Sequence, residues 1–252
     1  MRKKGDIGKN RTGETYITNE GYNITIIEFF SADNCSVLFE NGYISKEKTY
    51  SCVRRGQIKN PYHNSVYGVG FFGEGSFVAK SENNIKPLFY LRWTSMLRRC
   101  YDSKVHEVNP KYTHTTVCKE WHNFQVFAKW YNENYNSETM QGWHLDKDIL
   151  AKGNNIYSPK TCCLIPMEIN NIFVKNNKNR GDMPIGVTKK DKWFYSTMFN
   201  AKQKKFKTSR DAFEDYKFRK EEKIKMSADK WKDKISEKTY DAMHNYKVEI
   251  TD

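Results

Sequence analysis

Between Trp143 and Leu150 the chain places His144, Asp146 and Asp148 at every second position, with Lys147 among them. Gly153-Asn154-Asn155 and Tyr157-Ser158-Pro159 follow, then Pro166 and Asn170-Asn171, about one hairpin and one helical turn downstream. A set of this kind can hydrolyse a phosphodiester. The reaction needs a nucleophilic water, a base for its proton, and positive charge against the phosphorane and the departing oxygen. One carboxylate and one neutral ligand can fix a divalent ion for that last task, beside a His that acts as base. On a strand, residues two apart share a face, so His144, Asp146 and Asp148 can equally form the site among themselves. In that arrangement His144 is base or ligand. A plain surface loop, with Asp146 and Asp148 closed against Lys147 and Lys152, would use the same residues without chemistry.

The elements that must position these residues are legible on either side. Upstream, Trp93, Met96, Leu97, Cys100 and Tyr101 fall at i, i+3, i+4, i+7 and i+8, which predicts a helix with Arg92, Arg98 and Arg99 on or beside its polar side. A second helix is expected after Val117-Cys118, with Trp121, Phe124, Ala128 and Tyr131 on one stripe. Both aromatic stripes read as core. Residues 6–76 read as strands and turns: Asn23–Phe30 is β-branched and aromatic, Ser36–Glu40 alternates, Asn41-Gly42 is a hairpin dipeptide, and Thr49–Val53 reads as a further strand before glycine-rich 67–73. Short strands at that spacing predict a small, highly bent β-barrel or sheet of about five strands. Downstream, Gly186–Thr188, Trp193–Phe199 and Gln203–Lys207 read as three strands. A helix then starts at Thr208 or Ser209, and another spans about 227–246. Residues 173–183 are the most linker-like. The expected organisation is α+β in three units: a β-barrel module over 1–80, a helical region with the metal-binding hairpin over 85–175, and a three-stranded sheet plus helices over 182–252.

Composition favours nucleic acid as the partner. Forty-three Lys and Arg against 30 Asp and Glu leave +13, and the basic residues cluster. Arg54, Arg55 and Lys59 make the first unit mildly basic. Six cysteines include no C-x-x-C pair, which argues against a zinc site and for reduced, buried thiols in a cytoplasmic protein. No apolar run long enough for a signal peptide or a membrane span is present.

The segment 143–172 resembles the HNH motif of His-Me finger nucleases, as found in phage and intron-encoded endonucleases. The motif has an Asp-His pair, a short Gly/Asn loop, a central Asn and a later Asn on a helix. Here Leu145-Asp146-Lys147-Asp148, Gly153-Asn154-Asn155, Tyr157–Cys162 and Asn170 occupy those places. The resemblance implies Mg²⁺ or Mn²⁺ held by Asp146 and Asn170 in a ββα hairpin. It departs at two anchors: Lys147 stands at the base His, and Thr161 at the central Asn. A Lys of ordinary pKa is protonated at neutral pH and cannot accept the proton, which makes His144 the best available base. Lys147 or Arg98 would then supply charge to the transition state.

Residues 186–212 resemble the DNA-binding domain of plant ethylene-response factors, which recurs at the ends of phage HNH endonucleases. Gly186-Val187, Trp193, Tyr195, Phe206-Lys207-Thr208 and Ala212 carry the likeness, while Lys204 replaces a family Gly. In that family the sheet lies in the major groove of duplex DNA. Carried over, this makes Lys189, Lys190, Lys192, Trp193, Tyr195, Lys204, Lys205 and Lys207 candidate DNA contacts. The expected function is a phage-encoded, metal-dependent DNA endonuclease acting in the host cytoplasm. The alternatives are a catalytically degenerate DNA-binding or regulatory protein, and a phage inhibitor of a host nucleoprotein or defence complex.

Overall fold

The computed structural model describes residues 9–174, 181–198 and 202–252. Its N-terminal part is an antiparallel meander of β1 (Thr15–Ile17), β2 (Asn23–Ser31), β3 (Asn34–Phe39) and β4 (Ile44–Lys48), paired in chain order. Alternation along β2 and β3 turns Ile24, Ile26, Cys35, Val37 and Phe39 to one buried face. The β3–β4 turn uses Gly42 at φ +88°, a conformation glycine adopts at little cost. The sheet is open, with β1 and β4 at its edges, so the expected closed barrel is not formed. The segment expected as a fifth strand is instead helix α1 (Tyr50–Arg54), capped by the Thr49 side chain accepting from Cys52 N at 3.4 Å. Val53 and Ile58 complete the core over the sheet's apolar face, where a barrel would need more strands.

The glycine-rich stretch after it packs as a loop. A Cβ on Gly70 would lie 2.5 Å from a Leu97 methyl and 3.0 Å from the Trp93 ring, so only glycine admits this approach. That Leu and Trp belong to α2 (Leu88–Tyr101), followed by α3 (Ser103–Val108), β5 (Thr116–Val117) and α4 (Phe124–Asn134). Trp121 lies in a 3₁₀ turn rather than in the predicted helix, and its carbonyl accepts from Trp93 Nε1 at 2.8 Å. Asn123 caps α4 through Gln125 N.

The remaining central elements are β6 (His144–Asp146), β7 (Ile156–Tyr157), β8 (Cys163–Ile165) and α5 (Met167–Phe173). β6 pairs antiparallel with β8, β7 parallel with β5, and α5 follows β8 directly, a ββα arrangement. Leu145, Leu164, Ile165, Ile169 and Ile172 bury its inner side in one core with the apolar faces of α2 and α4.

The C-terminal sheet has order β11–β10–β9, from β9 (Val187–Lys190), β10 (Trp193–Ser196) and β11 (Lys204–Phe206). Gly186 precedes it at φ +73°, where an added Cβ would sit 2.1 Å from the Tyr216 ring. Helix α6 (Ser209–Trp231), capped by Thr208, packs Ala212, Phe213 and Tyr216 on this sheet. Further along, its Ile224 and Ala228 enter the central core, joined by Ile235 and by Met243 of α7 (Glu237–His244). The helix expected over 227–246 is therefore two helices, divided where Ser236 caps α7. The first half of α6 thus builds a separate core with the sheet, while its second half and α7 pack into the central core. Of the expected linker, residues 175–180 lie outside the described residues. No helix among the described residues is long and apolar enough to cross a membrane.

Candidate functional site

A cleft of about 370 Å³ opens beside the ββα unit. Its lining includes His144 and Asp146 from β6, Asn170 from α5, Arg99 from α2, and Lys111, Tyr157 and Tyr246. Local structure explains each placement. On β6 the inward Leu145 is buried, so its neighbours His144 and Asp146 face the other way together. The residue before them is fixed by Arg92, whose Nη2 donates to Trp143 O at 2.8 Å. On α5 the buried Ile169 and Ile172 leave Asn170 on the flank that meets the cleft. Helix α6 braces α5 through Lys220 Nζ, which donates to Ile172 O, and through the Lys230–Glu168 ion pair at 2.7 Å.

The Asp146 carboxylate ends β6 and starts the turn after it. Its Oδ1 accepts from the backbone N–H of Asp148 and of Ile149, both at 2.8 Å. Both bonds fall on one oxygen, which leaves Oδ2 for another partner. Burial pushes the Asp146 carboxyl above its usual range; the N–H donors of Ile149 and Asp148 pull the other way. A cation at Oδ2 would relieve that penalty. Burial, then the positive charges of Arg92 and Arg99, hold the His144 imidazole below its ordinary pKa. The ring is therefore neutral at pH 7 and can accept a proton. Asn170 supplies an amide oxygen, and its side chain has no partner among the described residues. Two oxygen ligands suit Mg²⁺ or Mn²⁺, since Mg²⁺ commonly binds one or two protein groups and completes its shell with water and phosphate oxygen.

Three expected site residues are engaged in ion pairs. Among the described residues no three His, Cys, Asp or Glu side chains converge on one point where a metal ion could sit, so His144, Asp146 and Asp148 line one cleft without forming a three-ligand cluster. The physical reason is that β6 stops at Asp146; Asp148 lies in the bend beyond, where strand alternation no longer applies. There it pairs with Lys147 Nζ at 2.5 Å. Lys147 is itself buried and also donates to Asn154 O at 2.7 Å, so it ties the loop together. Arg98 is exposed, does not line the cleft and faces Asp102 at 3.5 Å.

The β6–β8 loop is organised by Asn154. Its Nδ2 donates to Lys147 O at 3.0 Å and Ile156 O at 2.7 Å, and its Oδ1 accepts from Ile156 N at 3.1 Å. Thr161, at the place of the motif's central Asn, donates to Ile156 O at 2.8 Å. The adjacent Cys162 and Cys163 are inert: burial pushes both thiols up, that of Cys162 to about 12.

Register divides the basic residues of the C-terminal sheet. Ser196 pairs with Val187 and Lys204, and Phe194 with Lys189 and Phe206, on the side packed by α6. Lys204 accordingly pairs with Asp215 of α6 at 2.7 Å, and Lys189 Nζ sits 5.7 Å from the Phe194 ring. Trp193 pairs with Lys190, and Tyr195 with Thr188 and Lys205, on the open side. There Lys205 Nζ lies 4.1 Å from the centre of the Trp193 ring. Lys192 is exposed in the β9–β10 turn and Lys207 is exposed just after β11. The open face thus gathers Lys190, Trp193, Tyr195 and Lys205, while Lys189 and Lys204 belong to the helix side. Arg54, Arg55 and Lys59 are exposed at the end of α1 and just beyond it, remote in sequence from the cleft.

Sequence reasoning passed over Arg99, Lys111, Tyr157 and Tyr246. For Arg99 the signal was present: it lies three residues after the buried Met96, and Arg98 only two, so Arg99 is nearer the buried stripe. Tyr246 arrives through the chain following α7, a long-range packing that local pattern does not encode. No family model, curated protein or solved structure matches this chain.

Proposed function

We propose that the protein is a divalent-metal-dependent DNA endonuclease whose site is the cleft beside the ββα unit. One observation carries this reading: a carboxylate with a free oxygen, a neutral imidazole and an unpartnered amide line the same cleft, on the two strands and helix that a ββα-metal finger requires. Asp146 Oδ2 and the Asn170 amide oxygen would hold the ion. The ion, Mg²⁺ or Mn²⁺, supplies positive charge for the phosphorane and the leaving oxygen. His144 takes the proton of the attacking water as its oxygen bonds to phosphorus. The bond from phosphorus to the departing sugar oxygen breaks, and that oxygen is protonated from solvent, leaving a phosphomonoester and a hydroxyl. The open face of the C-terminal sheet, with Lys190, Lys205, Trp193 and Tyr195, would bind the duplex; its lysines give affinity that falls steeply with salt.

The test is a supercoiled plasmid incubated with Mg²⁺ or Mn²⁺. The wild type should relax it, Asp146→Ala should abolish the activity, and His144→Ala should reduce it by roughly 10²-fold or more, the usual contribution of a general base. Tight, salt-sensitive DNA binding without nicking in either ion would instead assign the chain to the non-catalytic binders. The observation favouring that second reading is Lys147, locked in its loop at the place of the motif's base.

A further inference from the structure

Four cations line the cleft: Arg99, Lys111, Lys147 and Lys152. Two are neutralised. Lys147 pairs with Asp148 at 2.5 Å and Lys152 with Asp252 at 2.8 Å. Arg99 and Lys111 have no carboxylate within ion-pair distance among the described residues. Both are nevertheless held in place. Arg99 projects from α2 between the buried Met96 and Cys100, and its Nε donates to Ser95 O at 3.3 Å. Its guanidinium carbon lies 5.3 Å from the Tyr157 ring centre and 5.9 Å from that of Tyr112, within cation–π range. Lys111 lies in a 3₁₀ turn after Pro110, its Nζ 5.0 Å from the Tyr112 ring. A half-buried guanidinium and a lysine, fixed by tyrosines and left without an anion, form an incomplete charge arrangement.

We propose that Arg99 and Lys111 form an anion subsite that grips the non-bridging oxygens of the phosphodiester presented to His144 and Asp146. This rests on the phosphodiester reading of the cleft and adds to it the residues that hold the substrate's phosphate. The planar guanidinium can give two parallel N–H donors to one phosphate, and Lys111 adds a point charge. Charge fixed beforehand at the reacting phosphate also stabilises the phosphorane, where negative charge builds up. The tyrosines contribute indirectly, by limiting the directions the guanidinium can take.

Two readouts test it on the full chain. Inorganic phosphate is titrated into metal-free protein while the Arg99 Nε–H resonance is followed, and plasmid nicking is measured for Arg99→Ala, Arg99→Lys and Lys111→Ala. The expected result is a saturable shift of the Arg99 resonance that Lys111→Ala weakens. Nicking should fall by roughly 10²-fold in Arg99→Ala, the loss typical of one removed charge-stabilising donor, with Mn²⁺ affinity unchanged and Arg99→Lys only partly active. Lys111 is exposed, so its truncation leaves the core intact and keeps the test independent of misfolding. Absence of a phosphate shift at Arg99, or wild-type nicking by Arg99→Ala and Lys111→Ala, overturns the subsite. A phosphate shift at Arg99 in a protein that nicks with neither ion keeps the subsite and removes the hydrolytic reading.

Discussion

Asn154→Ala tests whether the β6–β8 loop is the scaffold of the cleft. The substitution removes three hydrogen bonds, to Lys147 O, Ile156 O and Ile156 N, and leaves the backbone carbonyl that receives Lys147. A typical intramolecular bond contributes ~0.5–1.5 kcal/mol net, and two of these three are solvent-exposed, so the sum is ~1–3 kcal/mol. For a chain of this size that lowers the melting temperature by roughly 2–12 °C. The effect on chemistry should match the upper end of that stability loss in free energy. Asp146 lies one residue before Lys147, and its Oδ1 caps the turn that Asn154 closes from the other side, so loosening the loop displaces the carboxylate. A displacement of about 1 Å can cost on the order of 10²-fold in rate. Thermal unfolding and plasmid nicking, measured on the same preparation, check both numbers. An unchanged melting temperature together with unchanged nicking would refute the assignment of the loop to Asn154.

Other outcomes follow from the same geometry. Replacing Lys190 and Lys205 together by Ala should reduce the salt dependence of duplex binding by roughly 2 in log–log slope, since each phosphate neutralised by a lysine contributes about 0.9. Lys204→Ala, on the helix side, should leave that slope alone. Asp146→Asn should abolish nicking yet raise the melting temperature of the metal-free protein at neutral pH. The folded carboxyl titrates above its unfolded value, so its ionised form costs stability once the pH exceeds both, and Asn keeps an Oδ1 for the two N–H donors. The rate of nicking should rise with pH along a limb below the ordinary imidazole pKa, because burial and then Arg92 and Arg99 hold His144 low; a midpoint above that value would argue against His144 as the base.

How much of this could be read from the chain differs by element. The two helical stripes beginning at Trp93 and Phe124 were legible because apolar side chains recur at the helical period and are buried accordingly. The three C-terminal strands were legible too, and their register then sorts the lysines by face, which composition does not. Thr49–Val53 carries a strand-like pattern yet forms the cap and first turns of α1. Its β-prone residues are outweighed by the Thr49 cap and by the apolar sheet face that Val53 and Ile58 cover. In the site, His144 and Asp146 follow from strand alternation, but the end of β6 at Asp146 is set by the Asx turn its side chain makes. That turn takes Asp148 off the strand face shared by His144 and Asp146, so it lines the cleft paired with Lys147. Arg99, Lys111 and Tyr246 join the cleft from segments far apart in sequence, brought there by tertiary packing alone.

The central claim is that Asp146 and Asn170 share one divalent ion next to His144. Substoichiometric Mn²⁺ added to the ¹⁵N-labelled protein tests this without reference to activity, since the paramagnetic ion broadens the nearest resonances first. The Asn170 side-chain amide and the His144 ring should broaden before any other signals, and Asp146→Ala should abolish the effect. Broadening that begins elsewhere, or that persists unchanged in Asp146→Ala, would contradict it.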